Sequence, residues 1–285
     1  RHARWDEHGP GLNSEYPRHG GFYIATWATA YKYTGNPVFS RAIKTLLDYF
    51  NSRRHPVTGA VPAESAERSK GQIVWVESNL SLAIDLHNGS TSVLDCLAAE
   101  MRMSAARTDV VFLSIPHDLS AGGKGFVNTV RTATLEPENA YADHWVTGYG
   151  DQTEARMGNL CLLRYEQTEL PEYKDLAIKA ATRYLSSEPE MDYPVYPGSM
   201  GDAIFLLVSV YEITGEEKYL NRARYFARRS LDLFLDDDSS LPRATSKHDH
   251  YEAITGADTL MMSLLKLWAV VNKPDLDLSL VYCER

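Results

Sequence analysis

The 285-residue sequence predicts an all-α protein in which helical hairpins repeat and close into a ring. The clearest hairpin spans residues 201–235, where a helix that is apolar on nearly every side is followed by a Thr214-Gly215 stop and a helix with one apolar stripe. The same pair recurs along the chain. Connections after the apolar helices are short, whereas those before them are long. These observations predict inner helices covered by a layer of outer helices.

The apolar stretches predict five inner helices, near residues 21–33, 74–86, 152–165, 202–213 and 255–271. The one-sided stripes predict outer helices over residues 39–50, 94–105, 173–185 and 219–234. Turn residues separate the two members of each pair, and Asn88-Gly89 is predicted to stop the second inner helix. Residues 1–285 are therefore predicted to form one helical domain.

Residues 115–140 interrupt this pattern. Gly122-Gly123-Lys124-Gly125 and the β-prone runs Phe126-Val127 and Thr129-Val130 predict a small β or loop insertion. The glycines lack the spacing of a phosphate-binding loop, and no apolar helix follows them directly. Since the sequence contains no other nucleotide fingerprint, no cofactor is expected.

The composition of the chain disfavours several classes of partner and of site. The formal net charge is −9, which disfavours nucleic acid as a partner. No run approaches the roughly twenty apolar residues of a membrane span, so no spanning segment is expected. The three cysteines form no Cys-x-x-Cys motif, and this is typical of buried thiols and not of a disulfide framework or a zinc site. Compartment and oligomeric state are left open.

The long connections all enter inner helices and are therefore predicted to share one end of the ring. They carry aromatic rings beside ionisable groups, which is what a sugar site needs, because rings stack on sugar faces and polar groups hold hydroxyls. The residues predicted to bind carbohydrate are Trp5, His8, Arg18, His19, Arg68, Trp75, Trp145, Tyr149, Arg156, Tyr196, Asp202 and His248. The residues predicted to be catalytic are Asp6, Glu7, His144, Asp151, His250 and Tyr251. Those expected to converge on one cleft are His8, His144, Asp151, His250 and Tyr251.

Two hairpins share a further motif. Tyr-x-x-Thr-Gly occurs at Tyr31–Gly35 and at Tyr211–Gly215, and Arg-Ala follows at Arg41-Ala42 and Arg222-Ala223. Together with the alternating hairpins, this motif resembles the six-hairpin (α/α) toroid glycosidase superfamily, which includes unsaturated uronyl hydrolases, sugar epimerases and polysaccharide lyases. The resemblance implies an (α/α) toroid that acts on carbohydrate. The chain departs from the pattern in having five predicted inner helices instead of six and no Trp-x-Asp-Asp motif, so no catalytic pair is carried over.

The predicted reaction is hydrolysis of a poly- or oligosaccharide, with uronic acids among the substrates considered. Hydrolysis uses two carboxyls, one as acid and one as base or nucleophile, and Asp151 with Asp6 or Glu7 is the predicted pair. A uronan lyase is the first rival function, and its β-elimination would be carried by Tyr251, His250, His144 and Arg156. A sugar epimerase with paired histidines and a non-catalytic glycan-binding protein also fit the sequence.

Several of these residues also have a structural interpretation. Asp151 can cap the helix that follows it, and Asp202 is more readily explained as a cap than as a ligand. In the segment Lys247–Glu252, Asp249 or Glu252 can cap a helix N-terminus. His248-x-His250 with Asp249 has no identifiable third ligand, so no metal is expected.

Overall fold

The computed structural model describes residues 16–63, 71–93, 96–138, 140–146, 152–236, 239, 241–273 and 282. The chain separates into two compact units. The first unit comprises Arg1–His117 and Val127–Tyr141, and the second comprises Asp118–Phe126 and Ala142–Arg285. The prediction of a single domain stays a prediction.

The first unit contains two helical hairpins and a short sheet. Its elements are α1 (Pro17–Thr34), α2 (Pro37–Arg53), β1 (Ile73–Trp75), α3 (Val76–Ser92), α4 (Cys96–Ser114) and β2 (Thr129–Arg131). The inner helices α1 and α3 pack against each other, and each carries its own outer helix, α2 or α4. Fully buried side chains such as Ile24, Leu82 and Leu86 form the core between them. Burial of this apolar surface holds the hairpins together.

The second unit contains two further hairpins and a last inner helix. Its elements are α5 (Glu154–Thr168), α6 (Pro171–Tyr184), α7 (Pro197–Thr214), α8 (Glu217–Phe234), a 3₁₀ turn (Ala253–Thr255) and α9 (Ala257–Asn272). Helix α7 packs against α5, α8 and α9, which explains why it is apolar on nearly every side. The outer helices contribute buried rings, among them Tyr173, Tyr184 and Phe226.

The helical prediction is confirmed. All five predicted inner helices and all four predicted outer helices are present in the described part of the chain, and the only strands described there are β1 and β2. None of the described helices combines the length and hydropathy needed to cross a bilayer. Cys161 is buried as predicted, whereas Cys96 is exposed because it stands at the first position of α4, outside the apolar stripe.

Three hairpin turns share the same hydrogen bonds. Helices α1, α5 and α7 each end in Tyr-x-x-Thr, followed by one left-handed residue: Gly35, Glu169 or Gly215. The backbone N–H of that residue donates to the tyrosine carbonyl over 2.7–2.8 Å. Each threonine hydroxyl donates to the carbonyl four residues earlier and accepts from the N–H two residues later. The motif seen at two turns in the sequence therefore occurs at a third, where Glu169 takes the place of glycine.

Glu169 adopts a left-handed φ of 58°, which suits glycine better than glutamate. We expect Glu169→Gly to raise the free energy of unfolding by about 0.5–1 kcal/mol, because relief of about 1–2 kcal/mol of strain outweighs the backbone entropy of glycine. Urea denaturation measures the difference. The matched control is Glu216→Gly, at an extended position of the equivalent turn, which should lower that free energy. A Glu169→Gly protein no more stable than its parent would contradict strain at this turn.

Two local predictions were wrong. Val74 does not open an inner helix but lies in β1, opposite Val130 in an antiparallel pair with β2. The predicted insertion therefore supplies one strand, and the segment before α3 supplies the other. Asn88-Gly89 does not stop α3, which continues to Ser92. Gly89 permits close helix packing instead, since an added Cβ would lie 3.0 Å from Met101 Sδ.

Candidate functional site

The inner helices of the second unit begin at the same end of that unit. Thr153, the N-cap of α5, donates from its hydroxyl to Asp202 in the second turn of α7 (3.0 Å). Gly201 contacts the first turn of α9, where an added Cβ would lie 2.7 Å from the Leu260 nitrogen. The N-terminal ends of α5, α7 and α9 are therefore neighbours.

The connections into these helices are held at that end. The Asp143 carbonyl accepts from the Glu154 N–H (2.8 Å), and the Ser246 N–H donates to the Val195 carbonyl (2.9 Å). The predicted site residues brought to this end of the second unit are His144, Trp145, Arg156, Tyr196, Asp202, His248, His250 and Tyr251. Convergence of the five predicted residues on one cleft stays a prediction, because two of them lie outside the described residues.

A fully buried carboxyl lies at the start of α5. Glu154 Oε1 is 2.7 Å from Nε of Arg183 on α6, and Glu154 Oε2 is 3.9 Å from Nε2 of His144. The other guanidinium nitrogens of Arg183 donate to the carbonyls of Ser120 (2.7 Å) and Gly123 (2.9 Å). The result is a row of guanidinium, carboxyl and imidazole, which we call the Glu154 cluster (His144, Glu154 and Arg183).

Burial shifts the pKa of two cluster members in opposite directions. It raises the pKa of Glu154 from 4.5 to about 7, against the opposing effect of the Arg183 guanidinium. Burial, with a smaller contribution from the positive charge of Arg183, lowers the pKa of His144 from 6.5 to about 4. At neutral pH the imidazole is therefore uncharged, and the carboxyl titrates. Such a pair can accept and return a proton.

Tyr184 and Trp145 fix the backbone at His144. The Tyr184 hydroxyl accepts from the Ala155 N–H (3.1 Å) and donates to the His144 carbonyl (2.7 Å). Burial raises the pKa of Tyr184 well above its usual value, so the phenol stays protonated. The indole of Trp145 packs edge-on against Tyr184, with ring centroids 5.3 Å apart, and donates to Ser187 Oγ (2.8 Å). Trp145 thus anchors this connection, and its contact with sugar stays a prediction.

An open cavity of about 550 Å³ adjoins the Glu154 cluster. His144 and Arg183 line it. The other lining residues are Leu119, Ala121, Gly122, Lys179, Thr182, Ser186 and Ser187. The His144 side chain is 27% exposed, whereas that of Glu154 is 0% exposed. A ligand in the cavity would therefore touch the imidazole and not the carboxyl.

Asp202 forms a second polar group inside the second unit. Its carboxylate accepts from the hydroxyls of Thr153 (3.0 Å) and Tyr282 (2.7 Å). The prediction that Asp202 caps a helix was wrong, because α7 already begins at Pro197. Asn159 donates to the Asp202 carbonyl (3.0 Å), while its buried Oδ1 has no hydrogen-bond partner among the described residues. Such an atom marks a polar interior that water or a ligand can satisfy.

The segment Lys247–Glu252 is exposed. His248 Nδ1 is hydrogen-bonded to Thr245 Oγ1 (2.7 Å), and the rings of His248 and His250 are 6.3 Å apart. The side chain of His250 is 63% exposed and lies 3.5 Å from Glu252 Oε2. Tyr251 is also exposed. These side chains are accessible to a ligand, but the described contacts do not join them to the Glu154 cluster.

The capping interpretation of this segment was wrong. The 3₁₀ turn begins after Glu252 without a side-chain cap, and the backbone of Gly256 precedes α9. Asp249 Oδ1 is instead 3.3 Å from Arg243 Nε.

Within the described ranges, no three His, Cys, Asp or Glu side chains are grouped closely enough to hold a metal ion.

The first unit has an aromatic group at the start of its inner helices. Tyr16, directly before α1, stacks on Trp75 with ring centroids 5.9 Å apart and planes 4° apart. His19 meets Tyr16 edge-on at 5.8 Å. Trp75 is 39% exposed, and Arg18 is half-buried. Two of the predicted sugar-binding residues described in this unit, His19 and Trp75, therefore contact the same tyrosine, and the Trp75 ring is accessible.

Several predicted residues lie outside the described part of the chain. They are Trp5, Asp6, Glu7, His8, Arg68, Tyr149 and Asp151. Thr153, and not a carboxylate, is the described cap of α5, and its hydroxyl accepts from the N–H of Arg156, which is half-buried.

Two members of the Glu154 cluster, Glu154 and Arg183, were not among the residues predicted from the sequence. Glu154 left a signal, since it is an acidic residue in the first turn of a predicted inner helix. Arg183 left none, because an arginine off the apolar stripe of an outer helix is typical of a solvated face.

Neither a protein-family model nor a curated protein sequence matches the chain. Solved structures do match. A D-mannose isomerase superposes with a TM-score of 0.63 and 14% identity, over 91% of this chain and 71% of that chain. Cellobiose 2-epimerase from Bacillus thermoamylovorans B4167 superposes with a TM-score of 0.62 and 12% identity, over 86% of this chain and 70% of that chain. An unsaturated glucuronyl hydrolase specific for heparin superposes with a TM-score of 0.59 and 14% identity, over 93% of this chain and 77% of that chain.

At these identities the likeness is one of fold. The six-hairpin (α/α) toroid superfamily, which the hairpin motif resembles, also includes uronyl hydrolases and sugar epimerases. The chain therefore has the (α/α) toroid fold that its sequence predicts.

Proposed function

We propose that this protein is a carbohydrate-active enzyme and that it hydrolyses a glycosidic bond. The observation that carries the proposal is the Glu154 cluster, which borders an open cavity at the end where the inner helices begin. An uncharged imidazole faces that cavity, and a carboxyl that titrates near neutral pH lies behind it. Such a pair moves protons, as cleavage of a glycosidic bond requires.

The substrate class rests on two supports. The compared proteins are by name an isomerase, an epimerase and a hydrolase, and a sugar is common to all three. The residues that line the cavity also include Ser186 and Lys179. Hydroxyls and an ammonium can hydrogen-bond sugar hydroxyls, and the ammonium can also pair with a sugar carboxylate.

In the proposed mechanism a carboxyl of the predicted pair removes a proton from the attacking water, and the His144 imidazole at the cavity takes up that proton. Glu154 stabilises the imidazolium that forms, in the way a buried carboxylate supports a catalytic histidine. Arg183 opposes protonation of Glu154 and so keeps part of the carboxyl ionised. The predicted carboxyl pair, Asp151 with Asp6 or Glu7, would supply the acid and the base or nucleophile of hydrolysis.

A sugar isomerase or epimerase is the second candidate. The specific observation is that His144 lines the cavity with a side chain that is 27% exposed, whereas the Glu154 carboxyl is 0% exposed. An uncharged histidine can remove a proton next to a sugar carbonyl. This reaction would use His144 and would not need Asp151.

A substrate panel separates these reactions. The protein is incubated with neutral and uronic-acid polysaccharides, unsaturated oligouronides and free aldoses, while reducing ends, near-ultraviolet absorbance and aldose composition are followed together. We expect new reducing ends without a new chromophore, and a loss of about 100-fold in Asp151→Asn with a much smaller loss in Tyr251→Phe.

Three different outcomes would replace the proposal. A chromophore that disappears in Tyr251→Phe indicates a uronan lyase. Interconversion of free aldoses, unaffected by Asp151→Asn, indicates an isomerase or epimerase. Glycan binding with no chemical change indicates a non-catalytic protein.

A further inference from the structure

Arg222, in the second turn of α8, binds the end of the neighbouring outer helix α6. Its Nε donates to the Tyr184 carbonyl (2.9 Å), and its Nη2 donates to the Ser187 carbonyl (2.5 Å) and to Glu188 Oε1 (2.7 Å). The last carbonyls of a helix have no partner within the helix, so a cationic side chain that donates to them satisfies them. Arg222 therefore holds the chain at the point where it leaves α6.

Two aromatic rings fix the guanidinium of Arg222. Its Cζ atom lies 4.3 Å from the centre of the Phe226 ring and 4.6 Å from that of Tyr225. The Arg222 side chain is 15% exposed, whereas that of its ion-pair partner Glu188 is 44% exposed. A planar guanidinium stacked on rings donates in a fixed geometry, which a flexible lysine ammonium does not reproduce. The two carbonyl contacts therefore depend on arginine and not on positive charge alone.

The segment held in this way contacts the connection that carries His144. The Tyr184 hydroxyl donates to the His144 carbonyl (2.7 Å), and Ser187 Oγ accepts from the Trp145 indole (2.8 Å). Trp145 also packs edge-on against Phe226, with ring centroids 5.2 Å apart. The two residues whose carbonyls the guanidinium binds therefore use their side chains to hold His144 and its neighbour.

The same motif in the first hairpin has a different environment. Arg41 follows Tyr31–Gly35 as Arg222 follows Tyr211–Gly215, but Arg41 is exposed on α2. The enclosed position of Arg222 therefore does not follow from the motif. It follows from what this arginine binds in the second unit.

We propose that Arg222 is a positioning residue: by fixing the end of α6, it holds His144 at the cavity. The proposal rests on the proposed function, in which the His144 imidazole takes up a proton there. Arg222 is not one of the residues that line the cavity, so it acts through the residues that it holds. A displacement of about 1 Å at a catalytic group can cost about 100-fold in rate, and a clamp outside the cavity prevents such a displacement.

An NMR titration of the His144 ring tests the positioning role. In the parent, burial, with a smaller contribution from Arg183, keeps the pKa of His144 at about 4. Arg222→Lys retains the charge but loses the planar fork, so the connection should loosen and water should reach the ring. The pKa should then rise to above about 5. His144→Asn identifies the signal, and the charged groups beside the ring, Glu154 and Arg183, are the same in parent and Arg222→Lys.

Two matched controls accompany this variant. Arg41→Lys makes the same change at the exposed motif position. Glu188→Gln weakens the ion pair but leaves both carbonyl contacts of Arg222 in place. In both controls His144 should titrate as in the parent.

Ser187→Ala tests the same link from its other end. It removes the hydrogen bond to the Trp145 indole and should also raise the pKa of His144. This variant decides the case if Arg222→Lys does not fold. An unchanged titration in folded Arg222→Lys, or in Ser187→Ala where it has to decide, would overturn the proposal.

Steady-state kinetics gives the second readout. In Arg222→Lys, kcat should fall about tenfold while KM stays within about threefold, because the variant displaces the proton acceptor. A raised His144 pKa with unchanged kcat would show that Arg222 is structural only. The titration needs no substrate, so the two failures are distinct. A parent that processes no sugar refutes the proposed function, whereas a His144 that titrates normally in Arg222→Lys refutes the positioning role.

Discussion

Replacing His144 by Asn should lower the turnover of a sugar substrate by about 10²- to 10⁴-fold, the range that general acid–base catalysis contributes. His144 is the Glu154-cluster member with an imidazole at the cavity, and its pKa of about 4 leaves it able to accept a proton at neutral pH. Asn keeps a polar side chain but cannot take up the proton. The value of kcat should therefore fall much more than KM changes.

Steady-state kinetics on the substrate identified by the panel measures this effect. In the parent, kcat/KM should increase as the pH rises through about 4, where the His144 imidazole loses its proton. The control is His55→Asn in the first unit, where the ring accepts the Thr58 N–H at the turn after α2 (3.3 Å), and its turnover should stay within about threefold of the parent. Full turnover in a folded His144→Asn protein would remove His144 from the proposed mechanism.

The sequence predicted the helices well because the signal for them is local. Helix α7 is apolar on nearly every side, and its Thr-Gly stop forms the hydrogen bonds that the motif implies. The amphipathic stripe of α8 likewise coincides with its buried side, which includes Tyr219, Ala223 and Phe226. Hydrophobic period and turn chemistry act within one or two turns, so a single sequence contains them.

The errors arise where distant residues decide the outcome. Val74 continues the apolar run of α3 in sequence, but β1 exists because residues 129–131 supply its partner strand. Gly89 has the composition of a stop, yet the proximity of Met101 explains it as a packing position. In the same way, the site at Glu154 depends on Arg183, which comes from the far end of the next helix. Such pairings become visible only when the helices are placed in space.

Replacing Arg183 by Met should lower the free energy of unfolding by about 3–5 kcal/mol, the cost of leaving one partner of a buried ion pair alone. Glu154 is fully buried, and Arg183 also satisfies the carbonyls of Ser120 and Gly123. Urea denaturation measures the loss. Arg228→Met, at an exposed position of α8, is the control and should stay within about 0.5 kcal/mol of the parent. A loss that small at Arg183 would show that the ion pair is not needed for stability.

The pH dependence of Glu154→Gln gives an independent test of the same cluster. Between pH 4.5 and about 7 the unfolded chain loses the Glu154 proton while the folded protein retains it, so this group lowers stability as the pH rises. His144 has the opposite effect between about 4 and 6.5, because its pKa is lowered by folding, and it masks the fall in the parent.

Glu154→Gln removes the pH dependence of stability that is due to Glu154 and keeps the one that is due to His144. The unfolding free energy of the variant minus that of the parent should therefore increase by about 3 kcal/mol from pH 4.5 to pH 7. Urea denaturation at several pH values across this range gives the difference directly, and groups common to both proteins cancel from it. If the difference decreases with pH instead, Arg183 holds the carboxyl ionised throughout. Glu154 could then not return a proton near neutral pH, and its role would be that of a structural ion pair.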